Sequence, residues 1–182
     1  MSIENVVLEG KNLSYQYDGK DGAKNLAITL NRKYKPTELI VIEIVYHSNY
    51  INHADPNSIG GSFGKGLRFF QPTSTTPNKQ KQIWSSGEPE SNKYWFPCNE
   101  DIADIHTTEI FATVEKPLML ISNGKLIETI ENKNATQTFH YKSAVPFPNY
   151  LVAIVVGDYT DVVQQTEETT IHTLGYPAEK DA

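Results

Sequence analysis

Residues 38–47 read ELIVIEIVYH and residues 150–156 read YLVAIVV, and these two stretches are the most informative about the fold. Both carry apolar side chains at odd and at even positions, so both faces of an extended chain would be apolar. Strands of this kind are covered on both sides by other parts of a protein. The two stretches therefore predict strands in the middle of a sandwich or barrel rather than at an edge.

The rest of the chain repeatedly alternates apolar and polar residues, and no window shows a sustained 3.6-residue apolar stripe bounded by helix caps. This pattern indicates an all-β domain. With the two opening stretches included, strands are predicted over residues 3–8, 13–17, 25–30, 38–47, 67–71, 82–85, 106–114, 118–122, 126–131, 136–141 and 150–159.

Turn-forming residues separate several of these strands. Asp18-Gly19 and Asn123-Gly124 supply the positive φ angles of tight hairpin turns, and residues 132–134 (NKN) divide two further alternating runs. Residues 106–141 are therefore predicted to form a meander. Residues 48–66 and 72–79 are predicted to be loops, and residues 89–93 to form one helical turn.

The size and charge of the chain argue against several classes of protein. Its 182 residues fit one domain, and a net charge of −6 with no basic stripe argues against nucleic-acid binding. No apolar run approaches the roughly 20 residues of a membrane-spanning helix. The N-terminus lacks the basic and apolar segments of a secretory signal, which leaves the compartment open.

The sequence lacks the familiar motifs of catalysis and metal binding. None of its five histidines begins a His-Glu-x-x-His zinc motif. The glycine-rich residues 60–66 lack the spacing of a phosphate-binding loop, and a strand rather than a helix is predicted after them. Cys98 is the only cysteine and lies in the run 95–98 (WFPC), which favours a small buried hydrophobe over an activated thiolate.

Residues 83–101 differ from the rest because they join both tryptophans to a compact acidic turn. Aromatic side chains beside polar groups in a loop often line binding sites. The residues by themselves leave two interpretations open, a recognition surface and a buried aromatic corner. A recognition surface built on Trp84, Tyr94 and Trp95 would suit a glycan.

The same segment begins a series of motifs. Residues 85–89 (SSGEP) and 93–98 (KYWFPC) are followed by 108–114 (TEIFATV), 120–124 (LISNG) and 148–159 (PNYLVAIVVGDY). In this order the motifs resemble the N-terminal domain of the gluzincin zinc aminopeptidases, the aminopeptidase N family. The sequence departs from that family in two places, since Ser86 replaces a frequent Gln and the residues after Cys98 lack the x-Asp-x-Pro ending of the signature.

The resemblance implies an antiparallel, saddle-like β-sandwich that packs on a thermolysin-like catalytic domain. It implies that Glu88 holds the free α-amine of a peptide substrate, with Ser86 and Gly87 beside it in the substrate-binding site. The zinc is expected on the catalytic domain, because this sequence holds no zinc motif. This chain is therefore expected to be inactive alone and to have two kinds of partner, that catalytic domain and peptide N-termini.

The resemblance also implies a domain over residues 1–176 that lacks the family's first strands, and a linker over 177–182 towards the catalytic domain. Missing strands would expose a sheet edge, which predicts self-association. Two alternatives remain open from the sequence. One is a stand-alone β-sandwich that binds a glycan or a protein, and the other is a family-like scaffold that has lost catalysis.

Overall fold

The computed structural model describes residues 1–17, 25–48, 52–53 and 66–177. In these ranges the chain forms fifteen strands and two short 3-10 helices. The strands are β1 (Ser2–Leu8), β2 (Lys11–Asn12), β3 (Ser14–Gln16), β4 (Ala27–Thr29), β5 (Ile42–His47), β6 (Asn52–His53), β7 (Gly66–Phe70), β8 (Gln82–Ser86), β9 (Ile105–Glu115), β10 (Met119–Ser122), β11 (Lys125–Glu131), β12 (Thr136–Pro148), β13 (Ile154–Gly157), β14 (Thr160–Gln165) and β15 (Thr170–Gly175); the 3-10 helices span Asn92–Tyr94 and Asn149–Leu151.

The N-terminal part of the fold is a three-stranded sheet in the order β2-β1-β5. β1 and β5 run antiparallel, with Val6 opposite Ile44. Val6, Leu8 and Leu13 are buried and form the core of this part. The antiparallel pair β3-β4 packs on the same core, to which it contributes Tyr15.

The larger part of the fold combines a five-stranded sheet, in the order β10-β13-β8-β7-β6, with a three-stranded sheet, in the order β11-β12-β9. Strand pairing is antiparallel except between β6 and β7. Strands from both sheets contribute to a second core, which contains Leu118, Leu120, Phe139, Tyr141 and Val156. β14 and β15 form a separate hairpin. The prediction of an all-β fold is confirmed.

The five-stranded sheet places β8 and β13 in its interior, where each has two neighbouring strands. Val155 of β13 pairs with Trp84 of β8 on one side and with Ile121 of β10 on the other. The prediction that the second opening stretch does not lie at an edge is thus confirmed for Ile154–Gly157. β8 ends at Ser86, and Gly87 leads into a turn over residues 88–91, called the acidic turn below because it contains Glu88 and Glu90.

The first opening stretch does not take the predicted central position. β5 begins only at Ile42, and among the described residues its one neighbouring strand is β1. At the even positions, Ile40, Ile42 and Ile44 pack inward on the N-terminal core. At the odd positions the apolar side chains face solvent, with Leu39 93% and Val41 75% exposed. The prediction was wrong because nothing in the described part of the chain covers the second apolar face.

The prediction of one strand over residues 150–159 was also wrong. A 3-10 helix occupies Asn149–Leu151, and the strand starts at Ile154. The amide of Asn149 is buried and hydrogen-bonds to other parts of the chain, while its carbonyl accepts the Val152 N–H at 2.9 Å. These polar contacts hold the backbone in a tight turn, which an extended strand could not provide.

Residues 106–141 do not form a meander. β9 pairs with β12 and β10 pairs with β13, so β9 and β10 belong to different sheets. Asn123-Gly124 therefore marks a crossing between sheets, not a hairpin. Gly124 has a φ of 88°, and a Cβ on it would lie 2.3 Å from the Lys142 carbonyl oxygen. The glycine was predicted correctly to have a positive φ, but strand pairing depends on tertiary contacts that a turn motif does not specify.

The remaining turn predictions have separate outcomes. Residues 132–134 do separate two paired strands, β11 and β12. Residues 72–79 contain no strand or helix, as predicted. Asp18-Gly19 and most of the predicted loop 48–66 lie outside the described residues. Where this loop is described the prediction was wrong in part, because Asn52–His53 form β6 and pair with β7, which begins at Gly66. Among the residues that are described, no helix is long and apolar enough to cross a membrane.

Candidate functional site

The candidate site begins where interior strand β8 ends. Ser86 pairs with Gly66 of β7, and the chain then passes through buried Gly87 to exposed Glu88. A Cβ on Gly87 would lie 2.2 Å from the Tyr150 carbonyl oxygen, so only glycine fits this close approach of two backbones. The sheet thus fixes where the acidic turn starts.

The turn after Gly87 is held by its own backbone. The Ser91 N–H donates to the Gly87 carbonyl at 2.8 Å, and the Ser91 hydroxyl donates to the Glu88 carbonyl at 3.2 Å. The helical turn predicted over 89–93 is present as the 3-10 helix Asn92–Tyr94, displaced towards the C-terminus because this hydrogen-bonded turn precedes it. The backbone of Glu88 is therefore fixed from both sides.

The side chain of Asn92 connects the turn to a distant part of the chain. This residue is fully buried, and its Nδ2 donates to the carbonyls of Asn149 at 2.6 Å and Val152 at 3.2 Å. Its Oδ1 accepts the indole N–H of Trp95 at 2.8 Å. One amide therefore satisfies two backbone carbonyls and one indole in the protein interior, where unpaired polar groups are costly.

A second layer of polar contacts lies around Asn149. Its Nδ2 contacts Glu100 Oε2 at 3.1 Å and Cys98 Sγ at 3.3 Å. The other carboxylate oxygen of Glu100 accepts the backbone N–H of Lys93 at 2.7 Å. Asn92 and Asn149 were not among the residues singled out from the sequence, although each is an amide in a segment rich in aromatic and apolar residues.

Five acidic residues lie between positions 88 and 104, and four of their carboxylates have a partner. Those four are Glu90, bound to Lys93; Glu100, bound within the buried layer; Asp101, which accepts from Ala103; and Asp104, which accepts from Asn99. Within the described part of the chain, the carboxylate of Glu88 makes no hydrogen bond or ion pair. It is an exposed anion on an ordered turn, open to a ligand.

The aromatic residues do not form an exposed row. Trp84 is stacked on Phe70, with ring centroids 5.6 Å apart, and the Arg68 guanidinium lies 4.7 Å from its ring. Trp95 meets Phe96 edge to face at 4.5 Å. Trp84, Tyr94 and Trp95 are all half-buried. Of the two interpretations left open by the sequence, the packing favours the aromatic corner over a flat glycan platform.

Cys98 has the properties of a packed side chain. It is half-buried, and its thiol contacts the amide of Asn149 and the Glu100 carboxylate. Burial, followed by the negative charge of Glu100, raises the pKa of the Cys98 thiol to about 12. A thiol of this kind stays protonated at neutral pH, and the thiolate is the nucleophilic form.

Among the described residues, histidines and carboxylates do not combine into a metal site. His140 lies 2.9 Å from Glu109 and 3.5 Å from Glu128, and its ring stacks on Phe111 at 3.9 Å. Residues 1–17, 25–48, 52–53 and 66–177 contain no group of three or more histidines, cysteines or acidic residues that could hold a metal ion. The residues described do not fit a catalytic zinc.

Comparison with known proteins gives a consistent picture of the fold. The sequence profile of the Peptidase M1 N-terminal domain matches residues 1–151. Transcription initiation factor TFIID subunit 2 from Gallus gallus is 26% identical over 110 residues, 59% of this chain and 9% of the relative. Leucine aminopeptidase 2 from Vanderwaltozyma polyspora is 28% identical over 122 residues, 59% of this chain and 18% of the relative.

Among solved structures, a mutant M1 zinc metallopeptidase from Deinococcus radiodurans bound to a Tyr-Ser-Ala substrate matches with a TM-score of 0.70 at 20% identity. The match covers 100% of this chain and 40% of that protein. The chain spans less than a fifth of the two curated relatives and less than half of this structure.

Replacing the buried amide tests its structural role. The Asn92→Ala variant leaves the Trp95 indole and two backbone carbonyls without their partner, so we expect the free energy of unfolding to fall by about 2–4 kcal/mol. Urea denaturation followed by tryptophan fluorescence measures this change. Asn99→Ala is the matched control, because Asn99 is exposed and, in the described part of the chain, its side chain bonds the Asp104 carboxylate and the Asp101 N–H. Equal losses in both variants would contradict the assigned role.

The pKa of Cys98 gives a pH-dependent prediction. Because the folded thiol ionises only near pH 12, its rate of alkylation by iodoacetamide should keep rising with pH up to about pH 11, whereas an unperturbed thiol levels off above its pKa of about 8.5. The matched control is the same chain unfolded in guanidinium, measured over the same pH range by mass spectrometry. A plateau near pH 9 in the folded chain would show that the thiol is not desolvated.

Proposed function

The chain belongs to the family of peptidase M1 N-terminal domains, and we propose that its residues Ser86, Gly87 and Glu88 form one side of a pocket for the free N-terminus of a peptide. The other side of the pocket, and the zinc that hydrolyses the peptide bond, would belong to a thermolysin-like catalytic domain of the same parent protein. This sequence holds no His-Glu-x-x-His motif. By itself the chain would bind peptide N-termini weakly and not cleave them.

The proposal rests on the carboxylate of Glu88, which makes no hydrogen bond or ion pair with any described residue. Every other acidic side chain in the turn region is bound to a neighbour, whereas Glu88 faces solvent at the end of an interior strand. A peptide α-ammonium that leaves water requires a close opposite charge. A carboxylate on a pre-ordered turn supplies that charge without first giving up a partner within the described part of the protein.

Ser86 and Gly87 contribute in different ways. Gly87 permits the backbone to pass the Tyr150 carbonyl, and thereby sets the direction in which Glu88 leaves the sheet. Ser86 is half-buried at the last position of β8, where its hydroxyl would line the pocket for the first side chain of the peptide. A short side chain at this position leaves more room there than the Gln that is frequent in the related aminopeptidases.

The extent of the recognition domain forms part of the proposal. We place its end at residue 176, because the Tyr176 hydroxyl donates to Gln82 at 2.7 Å and its ring lies 5.4 Å from that of Tyr159. These contacts connect the end of the β14-β15 hairpin to β8. Residues 177–182 would then be the linker towards the catalytic domain.

A second candidate function is a protein-binding scaffold. Its support is the similarity to TFIID subunit 2 from Gallus gallus, a protein named as a transcription factor subunit and not as a peptidase. A scaffold would have no need for an uncommitted carboxylate that recognises an amine. The two candidates therefore differ in whether Glu88 distinguishes free from blocked peptide N-termini.

Nuclear magnetic resonance titration of the chain tests the first candidate. Ala-Ala-Ala amide should shift the backbone signals of Ser86, Gly87 and Glu88, with an affinity in the millimolar range because only half of the pocket is present. Replacing Glu88 by Gln keeps the shape of the side chain but removes its charge, so the dissociation constant should rise about three- to tenfold.

Two controls accompany this titration. Glu168→Gln makes the same change at another exposed position and should leave the affinity unchanged. The N-acetylated peptide has no ammonium group and should produce much smaller shifts. If free and acetylated peptides shift the same signals equally, amine recognition by Glu88 is wrong and the scaffold function gains support.

A further inference from the structure

Strand β5 presents a sheet edge that no described strand covers. Among the described strands its one neighbour is β1, which pairs with it from Ile42 to His47 with a register shift between Ile3 and Asn5. One row of its backbone N–H and C=O groups therefore points away from the sheet. Such an edge is a template for pairing with another strand.

The side chains of β5 divide into two rows. Ile42, Ile44 and Tyr46 are half-buried, and the first two pack on the N-terminal core. Glu43, Val45 and His47 are exposed on the opposite face. Val45 is 39% exposed, which leaves an apolar side chain between an acidic and a basic one. Charged edge residues usually discourage pairing, but here their order is self-complementary.

We propose that a second copy of this chain adds to the free edge of β5, antiparallel to it, with Val45 on the two-fold axis. In this register Val45 lies opposite its counterpart, and each Glu43 lies opposite His47 of the other copy. Ile44 lies opposite Tyr46, so the apolar rows of the two strands also continue into each other. Opposite charges at directly facing positions stabilise an antiparallel pair.

The charges select this register over its neighbours. The register of the two antiparallel strands can change only by steps that keep the half-buried side chains of both copies on one face of the sheet and the exposed side chains on the other. Centring the axis on Glu43 would place two carboxylates opposite each other, which is destabilising. Centring it on Ile44 would leave Glu43 facing Val45 and His47 facing Val41, without a charge pair. Only the axis at Val45 gives two Glu43–His47 contacts.

His47 can take part without losing its existing contact. In the isolated chain its Nε2 lies 2.6 Å from the Glu4 carboxylate on β1, and its side chain is 70% exposed. In its protonated form the imidazole donates from both ring nitrogens, and in that form Nδ1 is available to a second carboxylate while Nε2 stays with Glu4. Each end of the paired strands would then carry a row of Glu4, His47 and the facing Glu43.

Sedimentation equilibrium of the 182-residue chain tests the proposal. We expect a concentration-dependent dimer whose dissociation constant rises at least about tenfold in Val45→Lys, because two ammonium groups then meet at the axis. Val163→Lys is the matched control, since Val163 is an exposed valine on β14, and it should leave the constant unchanged.

A second pair of variants tests the charge match and serves if Val45→Lys does not fold. Glu43→Lys places a cation opposite His47 and should also weaken the dimer, whereas Glu168→Lys, with the same net charge, should not. A chain that stays monomeric up to about 1 mM overturns the proposal. So does equal weakening by the β5 variants and their controls, since association would then use another surface or depend on net charge alone.

Discussion

The site depends on one buried amide. Asn92 donates to two carbonyls that belong to residues 149 and 152 and accepts from the Trp95 indole. These contacts fix the acidic turn against the 3-10 helix that precedes β13. Because an unpaired polar group in the interior costs about 1–3 kcal/mol, alternative positions of the turn are disfavoured. The steric demand at Gly87 acts in the same direction, since it excludes a side chain between the two segments.

This constraint separates the carboxylates that hold the structure from the one proposed to bind an amine. The two carboxylate oxygens of Glu100 accept hydrogen bonds from the Asn149 amide and the Lys93 backbone N–H. The carboxylate of Glu88, in contrast, has no partner among the described residues. A scaffold of ordinary hydrogen bonds thus presents a single anion in a defined place. The half-buried tryptophans have a structural role as well. Trp84 packs on Phe70, Trp95 donates its indole N–H to Asn92, and the two rings do not form a separate exposed surface.

Local features were predictable from the sequence, and pairings between distant segments were not. Alternation identified most of the strands, though not β2, β6, β14 or β15. The motifs around Glu88 and Cys98 identified the family that residues 1–151 match. Asn92 and Asn149 are 57 positions apart, so no local pattern reveals their contact. For the same reason Asn123-Gly124 suggested a hairpin where the chain changes sheets. Residues 38–47 were misplaced because apolar composition shows that a face needs cover but not what covers it.

In the proposed function, the buried amide of Asn92 holds Glu88 in place for amine recognition. The most direct test is the affinity of folded Asn92→Ala for a free-amine tripeptide, compared with that of folded Asn99→Ala, at a temperature where circular dichroism shows both variants to be native. We expect Asn92→Ala to bind the tripeptide roughly tenfold more weakly although Glu88 is still present, since a binding group must be held within about 0.5 Å of its place. Equal affinities in the two variants would contradict it.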